Sequence, residues 1–388
     1  MPSVVVSLNG TPISAALVVA DVAIRSGRTR SDDGLSASSA TVELLTPDPA
    51  GVAVSIADTL AVAVDGNARF QGRISEITRA TGLEDPASSR YTLIGVGPIA
   101  RLPRVQIPMP LAAASGRVRM QSVFDAAGIP VVIEGGDSYQ LAALGVAGDP
   151  PSAADQIVGA IMSDTGCVVA DLGDGSVLAQ FLDSRLSEDV WSPDPALTHV
   201  ELAWEQTDDL VNDITVEWPG GAPATNSSQG SIAQFERHAA TLNTGLGRLA
   251  DATHRAASIV SRLAFPAWQI GAVDTWDQTI MAHRIGAVVT LAPLPASSPI
   301  SGGAWSGVLE GWSEQYGPDA DGNLAGTWTL ALSDRAHSSE ALTWANVSPQ
   351  TLTWAQVLPA TSWSEAISNG DLSNLLRDLL QERGPDER

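Results

Sequence analysis

The chain has 388 residues, length enough for two to four domains. Hydrophobic residues make up 44% and charged residues 17%, so there is apolar material for real cores and wholesale disorder is excluded. The 44 acidic residues face 21 basic ones, all arginine, and the formal charge of −23 argues against tight nucleic-acid binding, which needs basic side chains to displace counterions from phosphate.

No run of 18 apolar residues free of charge and breakers occurs, so no spanning helix and no membrane insertion are expected. The start, Met1-Pro2-Ser3-Val4-Val5-Val6, lacks the basic region and long apolar core of a secretory signal. A single cysteine, Cys167, can form neither an internal disulfide nor a thiolate cage.

Residues 1–104 read as β. Apolar or alternating runs stand at Val18–Ile24, Ala40–Leu44, Ser55–Val64, Arg69–Ile77 and Arg90–Val96, and Asp65-Gly66-Asn67 is a hairpin signal. Strands at this spacing predict a small antiparallel sandwich or barrel. Residues 105–198 change character after Pro103, Pro108 and Pro110. Helical spacing appears at Gly116–Ala127 and at Ser152–Thr165, with Ser152 as the expected N-cap. A hairpin around Asp174-Gly175 then joins Cys167–Ala170 to Val177–Phe181, which together predict a small α/β module inserted between two β domains.

Residues 199–338 return to β, with strands expected at Asn212–Trp218, Ala287–Leu291, Trp305–Trp312 and Thr327–Ser333. One long helix is expected at Leu249–Ala264, stopped by Phe265-Pro266. In the first β segment, Gly72-Arg73-Ile74-Ser75-Glu76 precedes Arg90-Tyr91-Thr92-Leu93-Ile94 by 18 residues. In the second, Gly307-Val308-Leu309-Glu310-Gly311-Trp312 precedes Gly326-Thr327-Trp328-Thr329-Leu330 by 19. Upstream, Asp58–Val64 matches Gly286–Leu291, and Asp21–Ile24 matches Asn212–Val216. Two readings fit: antiparallel hairpins that merely look alike, or one β domain used twice.

Residues 339–388 repeat on a shorter scale. Leu342-Thr343-Trp344-Ala345-Asn346-Val347 recurs as Leu352-Thr353-Trp354-Ala355-Gln356-Val357 and, degenerately, around Trp363. Such an arm cannot bury its own tryptophans, so Trp344, Trp354 and Trp363 are expected to dock on another surface. After Asp371, a leucine stripe of Leu372, Leu375, Leu376, Leu379 and Leu380 predicts an amphipathic helix that docks on this chain or on a partner.

Signals for catalysis are absent or weak. The five histidines are scattered, and Gly303-Ala304-Trp305-Ser306-Gly307 places its serine one position late for a nucleophile elbow. Without lysine there is no Walker loop, and Gly95-Val96-Gly97-Pro98 lacks a third glycine for a dinucleotide site. Asp319-Ala320-Asp321-Gly322-Asn323 reads as a hairpin turn rather than a calcium loop, which would need a closing glutamate. Paired acids such as Asp208-Asp209 would suit a glycosidase, although nothing in the sequence sets their separation from a second carboxylate. No catalytic residue, cofactor or metal ligand is assigned.

The ordered series Phe70-Gln71-Gly72-Arg73-Ile74-Ser75-Glu76-Ile77, Gly95–Leu102, Asp208–Val216 with the helix Leu249–Ala264, Gly311-Trp312-Ser313-Glu314, Thr327–Ser333 and the Leu-Thr-Trp repeats resembles minor tail proteins of siphophages infecting actinobacteria. These are similar in architecture to baseplate hub proteins of tailed phages. The resemblance implies a mainly β chain with two tail-tube-like domains, 1–104 and 199–338, an α/β module at 105–198, and an extended C-terminal arm. It implies a structural, non-enzymatic virion protein at the tail tip, forming a homotrimer whose six similar units dock on a sixfold tail tube or distal tail ring. The tape measure protein and other tail-tip proteins would be its neighbours, and DNA would pass without specific binding. Arg25, Arg28 and Arg30, expected on a loop, could pair with acids of a neighbouring ring. A host-surface glycan binder and a tail-associated hydrolase stand as alternatives.

Overall fold

The structure, a computed structural model, describes residues 3–335 apart from 14–17, 30–33, 47–51, 82–88, 186–188, 202–204, 207–209, 267, 271, 295, 297, 299–302 and 319–323. The chain is mainly β, with an α/β module.

The first sheet half contains β1 (Val4–Leu8), β2 (Val18–Gly27), β3 (Ser39–Thr46), β4 (Thr59–Val64), β5 (Asn67–Thr81) and β6 (Ser89–Val96). Period-two patterning sets which face is buried: Ala40, Val42 and Leu44 on β3 and Leu60, Val62 and Val64 on β4 point inward, with partly buried residues between them. The β4–β5 hairpin turns at Asp65 (φ 50°) and Gly66 (φ 80°), the left-handed pair that a two-residue turn between twisted strands requires.

The second half contains β11 (Thr198–Glu201), β15 (Ala272–Thr275), β16 (Val288–Leu291), β17 (Trp305–Pro318) and β18 (Leu324–Asp334). Its strand order is β16-β17-β18-β15-β11, and that of the first half is β4-β5-β6-β3-β2, with every neighbouring pair antiparallel. In both halves the strands therefore follow the same path through the sheet. Backbone irregularities repeat too. The β5–β6 register shifts between Ile74 and Glu76, and the β17–β18 register shifts between Leu309 and Gly311. Ala57 (φ 72°) and Gly286 (φ 91°) stand at matching places before β4 and β16. The Ala57 N–H donates to the Ile74 carbonyl at 2.9 Å, and the Gly286 N–H to the Leu309 carbonyl at 2.8 Å. A shared bulge and a shared left-handed residue are not general properties of hairpins, so the two halves are one strand arrangement used twice.

The counterpart of β2 is β11, not the strand at 212–216 that the sequence pattern suggested. Only residues 28–38 separate β2 from β3, whereas the stretch between β11 and β15 carries a second insertion. This insertion holds β12 (Asp213–Glu217), β13 (Ala224–Ser227), α3 (Gln229–Phe235), β14 (Ala239–Asn243) and α4 (Leu249–Leu263). The first insertion, between β6 and β11, holds α1 (Gly116–Ala127), β7 (Val131–Glu134), α2 (Ala154–Thr165), β8 (Val168–Asp171) and β9 (Val177–Gln180), and ends with the two-residue β10 (Val190–Trp191) beside β16.

Both insertions share one core. Ala252, Ala256, Ile259 and Val260 of α4 cluster with Ile214 and Val216 of β12 and with Met120, Phe124, Ile157 and Ile161 of α1 and α2. The long helix, expected with the second β segment, packs here because β12 and β13 present the apolar surface that its stripe needs. Local signals act as expected at α1, where Ser115 Oγ accepts from the Val118 N–H and Gly128 (φ 62°) ends the helix. At α2 they differ: Ser152 pairs with Ile107 in a short bridge and Ala153 takes the N-cap position. The predicted hairpin at Asp174-Gly175 forms, with Gly175 at φ 84°.

The second core lies on the sheet and draws on both halves, from Val22, Leu44, Phe70 and Leu93 to Val289, Trp305, Tyr316 and Trp328.

Candidate functional site: a charged seam between two sheet halves

β2 of the first half pairs antiparallel with β17 of the second, from Gly311 opposite Gly27 to Tyr316 opposite Val22, which joins the halves into one sheet. The close approach at one end requires glycine. A Cβ on Gly311 would lie 2.5 Å from the Ser26 carbonyl oxygen and 2.7 Å from that of Arg28, and Gly27 (φ 78°) faces the Glu310 carbonyl. Gly311→Val should push the strands apart and cost about 1–3 kcal/mol, read as a lower urea midpoint. An unchanged midpoint would show that the seam tolerates separation.

Two buried carboxylates stitch this seam. Glu310, at the β17 bulge, receives Arg28 Nε at 2.8 Å and Arg185 at 3.0 Å, and all three side chains are buried. Burial works to raise the Glu310 carboxyl, but the Arg185 and Arg28 guanidinium groups overcome it and hold the acid at about 2. Glu314 accepts from Arg69 Nε at 3.0 Å, Tyr316 Oη at 2.6 Å, Trp328 Nε1 at 3.1 Å and Trp312 Nε1 at 3.2 Å. The Arg69 guanidinium also lies 5.3 Å from the centre of the Trp312 ring. Burial, with Glu314 alongside, pushes the Tyr316 hydroxyl up. Arg28 and Arg69 belong to the first half and both glutamates to the second, so the halves are locked by charge as well as by backbone.

Arg28 is thus inside the molecule, not on a surface loop, because burying Glu310 demands a cation. Arg25 lies on β2 and bonds Thr29 Oγ1 at 2.9 Å, and Arg30 falls outside the described residues. Pairs separated by 282 and 245 positions leave no local signal, so sequence reasoning missed the seam.

The α/β module is tied to the first half at Asp171, which accepts from the Ser38 N–H at 2.7 Å, Ser38 Oγ at 3.0 Å and the Ile99 N–H at 3.0 Å. Burial outweighs these bonds and raises its carboxyl to about 6.

Trp344, Trp354, Trp363, Leu372, Leu375, Leu376 and Leu379 lie outside the described residues, as do Asp208, Asp209 and the segment 319–323. Among the described residues no three His, Cys, Asp or Glu side chains gather in a metal-holding group. His283 pairs with Asp189 at 2.6 Å and stacks near Trp191, a structural contact at the β10–β16 margin. The seam's chemistry is that of a fixed joint: Arg28 and Arg185 pair with Glu310, and Arg69 pairs with Glu314.

No protein-family model and no curated protein matches the sequence. Solved structures do. A tail protein from Neisseria meningitidis MC58 is 12% identical with a TM-score of 0.62, the match covering 87% of this chain and 99% of that one. The 43 kDa tail protein of prophage MuSo2 from Shewanella oneidensis is 10% identical with a TM-score of 0.58, covering 88% and 99%. Prophage tail protein gp18 from Listeria monocytogenes EGD-e is 9% identical with a TM-score of 0.52, covering 86% and 95%. At such identity the likeness speaks for architecture, and it runs over nearly the whole length of each: the chain has the fold of phage tail proteins.

Proposed function

We propose that this chain is a structural subunit of a phage tail tip, a hub that assembles as a homotrimer. The observation that carries this reading is the duplicated strand path, β4-β5-β6-β3-β2 and β16-β17-β18-β15-β11. Three chains with two such halves present six near-equivalent units, which suits docking on a sixfold tube or distal tail ring above and a threefold tip below. A rigid seam serves that role, since the angle between halves must be the same in every chain for the ring to close. The charge of −23 suits a wall past which DNA slides, because carboxylates do not trap phosphate. The Leu-Thr-Trp arm and the leucine-striped helix would dock on neighbouring tail proteins, the tape measure protein among them. The role needs no catalysis.

Light scattering on the purified protein should give three times the chain mass, and electron microscopy a threefold ring with a central opening. A monomer at every concentration, binding isolated cell walls, would overturn the hub in favour of a glycan binder. Turnover of glycan, lost in Asp208→Asn, would favour a hydrolase. Deleting residues 339–388 should leave the thermal transition unchanged and reduce incorporation into tails. Full incorporation would refute docking through Trp344, Trp354 and Trp363.

A further inference from the structure

The two halves differ beside one strand. In the first, β1 pairs antiparallel with β4, and the buried Val6 lies opposite Val62. The ladders to β5 and β17 set Leu60 and Val62 in the places of Val289 and Leu291. In the second half, β10 reaches only as far as Trp191 opposite Val289, the place that Leu8 takes beside Leu60. Among the described residues, nothing beside Leu291 corresponds to Val6. A cleft of about 210 Å³ opens there instead, lined by Leu291, Pro293 and Leu294 on one side and by Pro193, Pro195 and Val200 on the other. Pockets for cofactors and drug-sized ligands begin at about 300 Å³, so this cleft suits one large side chain. Exposed Leu197, next to the lining residue Thr198, and exposed Trp276, bonded backbone to backbone with it at 2.8 Å, extend the apolar surface at the rim.

We infer that the segment Leu342–Val347 turns back onto its own second half and seats Trp344 in this cleft, in the place that Val6 fills in the first half. The segment has the pattern for it. In an extended chain Leu342 and Trp344 point to one side, as Val4, Val6 and Leu8 do on β1. The occupant is the chain's own arm because of where β18 ends. Asp334 lies opposite Gly307, and Gly307 opposite Val289, two positions along β16 from Leu291. Two strand spacings and two residues of rise make about 12 Å. The nine positions from Arg335 to Trp344 span up to roughly 30 Å, so the first tryptophan of the arm reaches the cleft with chain to spare.

Leu291 and Trp191 are only 3% exposed, so the sheet core at the cleft is complete before the arm arrives. Docking therefore fixes the root of the arm without being required for folding. It leaves Trp354 and Trp363 for contacts with neighbouring tail proteins and starts them from a defined point, which lowers the ordering cost of each contact.

The inference does not depend on the hub reading, and its test uses the full chain in any oligomeric state. Trp344 is replaced by photoreactive p-benzoylphenylalanine, and the irradiated protein is mapped by peptide mass. The adduct should run as one chain on denaturing gels and fall within 193–200 or 289–294. A second measurement keeps the tryptophan in place. With 5-fluorotryptophan incorporated, the fluorine resonance that Trp344→Phe removes should stand apart from its position in the urea-unfolded chain. Pro195→Arg puts a charged side chain at the exposed rim of the cleft and should return that resonance to the unfolded position, while those of Trp305 and Trp328 in the sheet core hold theirs. Adducts confined to other segments, or a resonance that Pro195→Arg does not move, overturn the inference. The same adduct in a two-chain band puts a neighbouring copy's arm in the cleft and overturns the own-chain assignment. A one-chain adduct in the cleft of a protein that never trimerises upholds the inference while the hub falls.

Discussion

Replacing Glu310 by alanine should destabilise the protein by about 3–5 kcal/mol, the cost of leaving buried cations without their counter-charge. Arg185 and Arg28 have both been taken out of water to reach this carboxylate, and Glu310 itself is fully buried. Its removal leaves two guanidinium groups facing each other across a cavity at the bulge, where the halves meet. The measurement is urea denaturation followed by tryptophan fluorescence, since Trp328 lies in the same sheet core. The control is Glu43→Ala, whose partner Arg90 is largely exposed and whose loss should cost less than about 1 kcal/mol. Equal small effects at both sites would show that the Glu310 cluster contributes no rigidity to the seam.

Stability should fall between pH 4 and pH 7, against the usual behaviour of paired carboxylates. Asp164 and Asp171 are both raised to about 6, in each case chiefly by burial, from an ordinary value of 3.8. An acid with a raised folded-state pKa keeps its proton longer folded than unfolded. Its contribution is whole below about pH 4 and is lost as pH rises through about 6. At about 1.4 kcal/mol per pH unit, full ionisation removes up to roughly 3 kcal/mol at each site. Glu310 has the opposite sign: its contribution is present above 4.5 and is lost only as pH falls toward about 2. Self-repulsion of a chain with charge −23 also grows with pH, so the readout is the difference between proteins. The urea midpoint of the unsubstituted chain should drop from pH 5 to pH 7.5, and Asp164→Asn and Asp171→Asn should each flatten that drop. Parallel slopes in all three proteins would refute the assignment.

The sequence by itself determined the local elements and raised the repeat as one of two readings. Alternation placed Leu60, Val62 and Val64 on a buried face. Asp65-Gly66 and Asp174-Gly175 marked their turns, and the Gly72-Arg73-Ile74 and Gly307-Val308-Leu309 segments proved equivalent down to the bulge. These features are legible because period, turn chemistry and left-handed backbone are set by neighbours a few residues apart. Only the tertiary structure decided the rest. It showed that β11, not the strand at 212–216, completes the second half. It placed α4 in one core with α1 and α2, and it turned Arg28 inward to meet Glu310 across 282 positions. Which strand edges meet, and which acid finds which arginine, depends on burial shared between distant segments. An acid and an arginine in sequence look the same whether water or a counter-charge solvates them, and desolvation, which separates the two cases, exists only once the chain has folded.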